Sequence, residues 1–183
     1  MPKNRIRVQD SVHGLMEFYG VETVVINVLR TPELQRLRRI RQTGLGHLVF
    51  PGAEHSRLVH SLGASYLAIR FTKQLEHACR NLLTDLLCPN SSVIRDIAVA
   101  ALCHDLGHGP LSHAWEREIV GEDYDFDKWI YKLGLNESKK YLEGAKWHEL
   151  VGHAMLLWED GQLHKLLEQD RMSLAQVNDF LIC

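Results

Sequence analysis

The sequence predicts a mainly α-helical domain with a small β-hairpin at its N-terminal end. Apolar residues recur at helical spacing through most of the chain from residue 31 onward. Only the first twenty residues alternate apolar and polar side chains, as a half-buried strand does. With 183 residues, 45% of them hydrophobic, the chain is long enough for one compact domain over residues 1–183.

Two short motifs predict the hairpin and the first helix. Arg5-Ile-Arg-Val-Gln and Leu15-Met-Glu-Phe alternate around Asp10-Ser-Val-His-Gly, which predicts two paired strands and no further sheet. Thr31-Pro-Glu combines a capping hydroxyl, a proline and an early acid. It therefore predicts a helix over residues 31–43.

Apolar periodicity predicts the remaining helices. After a loop over 44–56, a long helix is expected through about residue 83, and an apolar helix from Ser91 or Ser92 is expected to end at His104. Further helices are expected over 112–120, 125–133, 147–158 and 161–169. The stretches 88–92 and 121–123 are typical of interhelical connections.

Charge and cysteine usage exclude several classes of protein. A formal charge of −2 and a pI near 6.6 give no global basic field, so contact with nucleic acid or phosphate requires a local patch. The cysteines lack CxxC spacing, which argues against a disulfide framework and a structural zinc site and favours the reducing cytoplasm; they are Cys79, Cys88, Cys103 and Cys183. No signal-like or membrane-length apolar stretch is seen, so we expect a soluble protein without membrane contact.

Candidate chemistry gathers first in the segment ALCHDLGHGPLSH. Six apolar residues precede His104 and Asp105, so both are expected inside the protein, where polar groups need partners. An imidazole and a carboxylate can bind one divalent ion, and the glycines that follow carry His108 and His113 to the rim of such a site. The simpler alternative is a hydrogen-bonded core pair.

The second candidate segment is HSRLVHSLG, over residues 55–63. His60 lies in the first turn of the long helix, and Arg57 lies three positions earlier on the same face. We expect Arg57 to hold a phosphate without making core contacts, and His60 to meet His104 and Asp105 in space. Taken alone, Arg57 is better explained as a solvated surface charge and His60 as a capping or core histidine.

These residues carry a family resemblance. His60 and His104-Asp match the first three elements of an H…HD…D signature, so the chain resembles the HD-domain metal-dependent phosphohydrolases. Longer motifs resemble the SAM-and-HD-domain deoxynucleoside triphosphate triphosphohydrolases and their bacterial relatives: Asp10-Ser-Val-His-Gly, Thr31-Pro-Glu-Leu-Gln-Arg-Leu-Arg, Val49-Phe-Pro-Gly-Ala-Glu-His-Ser-Arg and Cys103-His-Asp-Leu-Gly-His-Gly-Pro. The resemblance covers residues 6–115, resumes at 147–149, and implies an HD-domain helical bundle.

The resemblance also implies roles for individual residues. It implies a divalent metal (Mn²⁺, Fe²⁺, Zn²⁺ or Mg²⁺) on three ligands, and a nucleotide pocket around it. The implied metal ligands are His60, His104 and Asp105; the implied pocket residues are Arg57, His108, His113 and His148, with Gln42 near the deoxyribose 3′-hydroxyl.

The implied reaction is hydrolysis of dNTPs at the α-phosphorus to deoxynucleoside and inorganic triphosphate, in a homo-oligomer. His113 is the expected proton donor to the leaving oxygen, because imidazole titrates near neutral pH. Arg30 stands where the animal enzyme has an aspartate that reads a guanine nucleotide, so guanine-specific activation is not expected.

One expected ligand has no match in the sequence. The family's fourth ligand is an aspartate on a later helix, and Asp127 is better explained as part of an acidic helix face. The apolar run over 178–183 predicts a domain truncated at its C-terminal end. A short protein would instead complete the coordination with water, another carboxylate or a neighbouring subunit. The alternative function is a catalytically inactive nucleotide- or nucleic-acid-binding HD module.

Four arginines lie in the stretch Arg36-Leu-Arg-Arg-Ile-Arg. They could contact an allosteric nucleotide, a nucleic-acid strand or a second subunit, or form a solvated face paired with acids. The overall charge argues against extended nucleic-acid binding, so nucleic acid is not the favoured partner.

Overall fold

A computed structural model describes residues 5–81, 89–121, 125–172 and 177. The helix end expected at residue 83, Cys88, Cys183 and the apolar run over 178–183 lie outside these described residues. No described helix is long and apolar enough to cross a membrane. The described cysteines, Cys79 and Cys103, are free thiols.

The predicted hairpin is confirmed. Strand β1 (Arg5–Asp10) pairs antiparallel with β2 (Gly14–Tyr19), and this is the sheet that the described residues form. The Asp10 carboxylate accepts hydrogen bonds from the backbone N–H groups of Val12 and His13, each at 2.8 Å, and so closes the turn.

The hairpin packs its inner face on the helical core. Met16 and Phe18 of β2 are fully buried, and the Phe18 ring meets Tyr66 edge-on. His13 of the turn lies against Gly63, where an added Cβ would approach the His13 Nε2 atom to 2.6 Å. Gly63 therefore lets the hairpin turn touch the long helix described below.

A buried helix that the sequence analysis does not predict follows the hairpin. Helix α1 (Val24–Leu29) comes after a 3₁₀ turn over Gly20–Thr23, and Val24, Val25, Ile26 and Val28 are buried. A run of β-branched residues has no 3.6-residue period and favours strands by propensity. Burial on several sides explains why this helix carries no amphipathic signal.

The helix predicted over 31–43 is wrong in length. Helix α2 (Pro32–Gln35) passes into a 3₁₀ turn over Arg36–Arg39, and Ile40 is extended. The Ile40 carbonyl instead accepts from the Arg57 N–H at 2.8 Å, which pulls the chain out of the helix. Thr31 does not cap the helix with its hydroxyl either, because that hydroxyl donates to the Val28 carbonyl at 2.8 Å.

Two packed helices form the scaffold of the candidate site. Helix α3 spans Arg57–Asn81 and α4 spans Ser91–Cys103, as expected apart from the end of α3 at 82–83, which lies outside the described residues. Asn90 caps α4 by accepting from the N–H groups of Ser92 and Val93, both at 3.0 Å. Ser65 of α3 donates to the Ala98 carbonyl of α4 at 2.7 Å and ties the pair together.

The C-terminal half is helical as predicted, with altered bounds. It contains α5 (His113–Trp115), a π-helical turn over Glu116–Val120, α6 (Phe126–Lys132), an unpredicted 3₁₀ turn over Asn136–Tyr141, α7 (Trp147–Leu157) and α8 (Gln162–Gln169). Helix α8 joins the main core, whereas α6 and α7 enclose a smaller cluster of Ile130, Leu135, Leu142 and Leu150.

Candidate metal centre

The turn after α4 carries most of the candidate chemistry. Residues 104–112, here called the HD turn, leave the helix end and pass beside α7. A Cβ on Gly107 would lie 1.9 Å from the His148 carbonyl oxygen and 2.4 Å from the Gly152 nitrogen. Only glycine fits this backbone crossing, which brings His148 of α7 to the HD turn.

The predicted meeting of His60, His104 and Asp105 is confirmed. The Nε2 atoms of the two histidines are 3.2 Å apart, although 44 positions separate them in sequence. The Asp105 Oδ2 atom lies 3.7 Å from His60 Nε2 and 3.4 Å from His104 Nε2. One ligand atom from each residue therefore points to a common location, as the ligands of a divalent cation do.

The hydrogen bond of His104 and the burial of His60 both suit these two rings to bind a metal. His104 Nδ1 lies 2.8 Å from the Ala101 carbonyl oxygen, which can only accept, so the proton stays on Nδ1 and Nε2 presents its lone pair. Burial lowers the pKa of His60, and the neighbouring His104 and Arg57 act in the same direction against Asp105. His104 is half-buried, which corrects the expectation that it lies fully inside the protein.

Asp105 is buried and contacts several groups. Its Oδ2 atom lies 2.5 Å from Arg57 NH1 and 3.5 Å from the Gln42 side-chain nitrogen, while Oδ1 lies 3.3 Å from His108 Nε2. Burial opposes ionisation, but His108, His104 and Arg57 outweigh it and hold the pKa of Asp105 well below its usual range. The carboxylate is therefore ionised and oriented at neutral pH.

Arg57 is not the solvated, core-free side chain that the sequence suggested. It is 1% exposed, and its guanidinium also contacts the Ser112 hydroxyl. The Arg57 backbone N–H donates to the Ile40 carbonyl at the first residue of α3, and the Arg57 side chain faces Asp105. Ser112 has a φ of 61° and donates to the Gln42 carbonyl at 3.1 Å, which holds this unfavourable backbone in place.

A second group of side chains, here called the histidine cluster, adjoins the first through His108. Glu116 lies at its centre: its Oε1 atom is 2.8 Å from His148 Nδ1 and 3.1 Å from His108 Nδ1, and its Oε2 atom is 3.6 Å from His113 Nδ1. The His108 and His148 rings stack with centroids 3.8 Å apart. The structure thus brings the three sequence-predicted histidines to one place.

Glu116 is the residue that the sequence analysis missed. Its i, i+3 spacing from His113 was the available signal, and the π-helical turn that begins at Glu116 directs the carboxylate toward the histidines. Burial opposes ionisation of Glu116, but His108 and His148 hold its pKa well below the usual range. Burial likewise opposes the charged form of His108, yet contacts with Asp105 and Glu116 raise its pKa.

Four of the other charged candidates have partners within the chain. Arg36 NH1 donates to the His108 carbonyl at 2.9 Å, so this arginine anchors the HD turn. Arg41 pairs with Glu54 at 3.0 Å, and Arg38 bonds the nearby Gln35 side chain at 2.6 Å. Asp127 pairs with Lys139 at 2.8 Å on an exposed face, as the acidic-face interpretation expected.

Comparison with known proteins identifies relatives but no matching protein-family model. Deoxynucleoside triphosphate triphosphohydrolase SAMHD1 of Gallus gallus is 40% identical over 156 residues, which cover 82% of this chain and 24% of that protein. The SAMHD1 of Bos taurus is 38% identical over 130 residues, covering 69% of this chain and 20% of that protein. The chain is therefore similar to SAMHD1-like HD-domain proteins over most of its own length.

A viral protein extends the same relationship. An HD domain-containing protein of Acanthamoeba polyphaga mimivirus is 35% identical over 115 residues, covering 59% of this chain and 25% of that protein. The chain therefore spans about a fifth to a quarter of the length of these SAMHD1-like relatives.

Proposed function

We propose that the chain is a metal-dependent dNTP triphosphohydrolase. The observation that carries this proposal is the convergence of His60 Nε2, His104 Nε2 and Asp105 Oδ2, which lie 3.2–3.7 Å from one another. The similarity to proteins named deoxynucleoside triphosphate triphosphohydrolases supports the substrate class. Water would attack the α-phosphorus and the bond to the deoxyribose 5′-oxygen would break, giving deoxynucleoside and inorganic triphosphate.

The donor set fits a divalent transition metal. Two imidazole nitrogens and one carboxylate suit Mn²⁺, Fe²⁺ or Zn²⁺ better than Mg²⁺, which prefers oxygen ligands. A bound metal would supply Lewis-acid polarisation of a phosphoryl oxygen. Arg57 would act on this site through Asp105, because its NH1 atom contacts the same Oδ2 that faces the two histidines.

The histidine cluster would handle charge and protons. His113 is the most exposed of the three histidines, with 64% of its side chain accessible, so it is the one that can reach a leaving oxygen. Burial and the nearby His108 lower the pKa of His113, and a bound triphosphate anion would favour its protonated form again. A proton from His113 would then neutralise the departing deoxyribose oxygen. The buried His108, whose pKa is raised, would offset part of the phosphate charge.

We also propose that the chain self-associates. Leu48, Val49 and Phe50 are 72%, 73% and 67% exposed, and adjacent apolar side chains of this size are typical of an interface. Light scattering should detect an oligomer that Phe50→Ser weakens. A monomer at every concentration tested would contradict this proposal.

The activity test is a dNTP panel in defined metals. We expect deoxynucleoside and inorganic triphosphate in a 1:1 ratio, with both products lost in His60→Asn. His60 is 40% exposed, so this change spares the fold. His55→Asn, at an exposed histidine in the preceding loop, is the matched control and should keep the activity. Nucleotide binding without turnover in any metal would instead favour the inactive binding module.

A further inference from the structure

We propose that Leu111 is a specificity residue, which contacts the nucleoside part of the substrate from a strained position in the HD turn. The inference rests on the proposed hydrolase activity, because it adds a residue that recognises the same substrate. Leu111 lies between the buried His108 and the exposed His113, where the HD turn comes to the surface.

Leu111 occupies a position that normally takes glycine. Residues 109–112 form a tight turn, which the Ser112 N–H closes by donating to the Gly109 carbonyl at 3.3 Å. Pro110 is the second residue of this turn, and Leu111, the third, has a φ of 65°. A turn with proline second and a positive φ third favours glycine or asparagine at the third position, because a larger side chain crowds the backbone there. Leucine therefore strains the turn.

Burial of the Leu111 side chain does not offset this strain. The side chain is 45% exposed, so it gains only part of the stabilisation that a core leucine gains. Strained backbone of this kind is typical of functional sites, where the surrounding structure holds it in place. The exposed apolar side chain is what leucine adds here, and a ligand contact explains why glycine does not stand in its place.

The loop over 42–44 holds the strained turn and offers a second contact to a ligand. A Cβ on Gly44 would lie 2.7 Å from the Leu111 carbonyl oxygen, so glycine lets this loop approach the turn closely. Ser112 donates to the Gln42 carbonyl at 3.1 Å. The Gln42 side-chain oxygen is buried and has no hydrogen-bond partner among the described residues. A hydroxyl of a bound nucleoside would supply the missing donor.

The proposed role of His113 brings the nucleoside to Leu111. If His113 protonates the departing deoxyribose oxygen, the sugar lies against this histidine. The Leu111 carbonyl accepts from the Ala114 N–H at 3.3 Å, which joins the turn to the short helix that carries His113. The buried His108 carries charge that suits phosphate, whereas an apolar side chain gives phosphate no favourable contact. Leu111 would therefore meet the sugar and base.

Binding of the two reaction products tests the contact separately for each half of the substrate. Calorimetry in saturating Mn²⁺ measures the affinities for deoxyadenosine and for inorganic triphosphate. Leu111→Ala should weaken deoxyadenosine binding about fivefold, because alanine buries less apolar surface against the ligand, and should leave triphosphate binding unchanged. Leu15→Ala, at a hairpin leucine that is 48% exposed, is the matched control and should change neither affinity.

A glycine variant tests the strain without any ligand. Leu111→Gly relieves the positive φ, so its urea midpoint should lie above that of Leu111→Ala, which keeps the strain. The reverse order of midpoints, or equal midpoints, would overturn the inference. It would also be overturned if wild type failed to bind deoxyadenosine or if Leu111→Ala bound it equally well. Absence of dNTP turnover in wild type, with both Leu111 effects present, would contradict the hydrolase activity and leave the nucleoside contact standing.

Discussion

Arg57→Ala tests whether the Arg57–Asp105 ion pair is part of the folded architecture. The guanidinium is 1% exposed and its NH1 atom lies 2.5 Å from Asp105 Oδ2, whose side chain is 8% exposed. Alanine removes the cation and leaves a buried carboxylate. The nearest remaining neighbours of that carboxylate include the Gln42 side chain at 3.5 Å and His108 at 3.3 Å.

The expected loss of stability is large. Removing one member of a buried ion pair costs about 3–5 kcal/mol, because the remaining charge stays desolvated. The free energy of unfolding should fall by that amount. For a chain of 183 residues, about 2–4 °C of melting temperature is lost per kcal/mol, so Tm should drop by about 6–20 °C.

Urea unfolding followed by circular dichroism measures this loss, in the presence of a chelator so that bound metal contributes nothing. Arg38→Ala, at an exposed arginine, is the matched control and should change stability by no more than about 0.5 kcal/mol. Adding Asp105→Asn to Arg57→Ala removes the stranded charge and should restore part of the stability. A loss below about 1 kcal/mol in Arg57→Ala, or no recovery in the double variant, would refute the reasoning.

Three further outcomes follow from close contacts and shifted pKa values. Gly107→Ala should destabilise the fold far more than Gly152→Ala. A Cβ on Gly107 would overlap a backbone oxygen at 1.9 Å, whereas a Cβ on Gly152 would lie 3.3 Å from its nearest atom. Equal urea midpoints of the two variants would contradict this. The pKa of Glu116 is lowered in the folded chain, so as pH falls its carboxylate is protonated in the unfolded chain first, and stability is lost below about pH 5. Glu116→Gln, unlike Glu118→Gln, should therefore make the fall of stability with decreasing pH less steep. Burial raises the pKa of Cys103 to about 12, so iodoacetamide should label this thiol only after unfolding, and native-state labelling by peptide mass mapping would disprove it.

Local signals predicted the parts of the fold that local bonds build. The hairpin, α3 and α4 have alternation, caps or helical periodicity of their own, and the two helices alone bring His60 to His104. The length of the helix after Thr31 was not predictable in this way. It ends early because Ile40 bonds the backbone of Arg57, a pairing between distant residues that no periodicity encodes.

The candidate site was predicted residue by residue but not contact by contact. The eight predicted side chains all lie in one connected network, yet the sequence could not show that Arg57 is buried or that Glu116 joins the histidines. Both errors have one cause. A charged side chain is buried only where a partner of opposite charge is also buried. Asp105 is that partner for Arg57, and His108 is that partner for Glu116.

The shared role of Asp105 determines which variants can assign the metal ligands. Its two oxygens serve different neighbours, Oδ2 toward Arg57 and His60, Oδ1 toward His108. Asp105→Asn would therefore leave the buried Arg57 guanidinium without its ion pair, disturb the histidine cluster and remove a metal ligand, all at the same time. Loss of metal in that variant has three explanations. His60→Asn has one, because the His60 side chain is 40% exposed, so loss of metal there with the fold intact assigns the ligand directly.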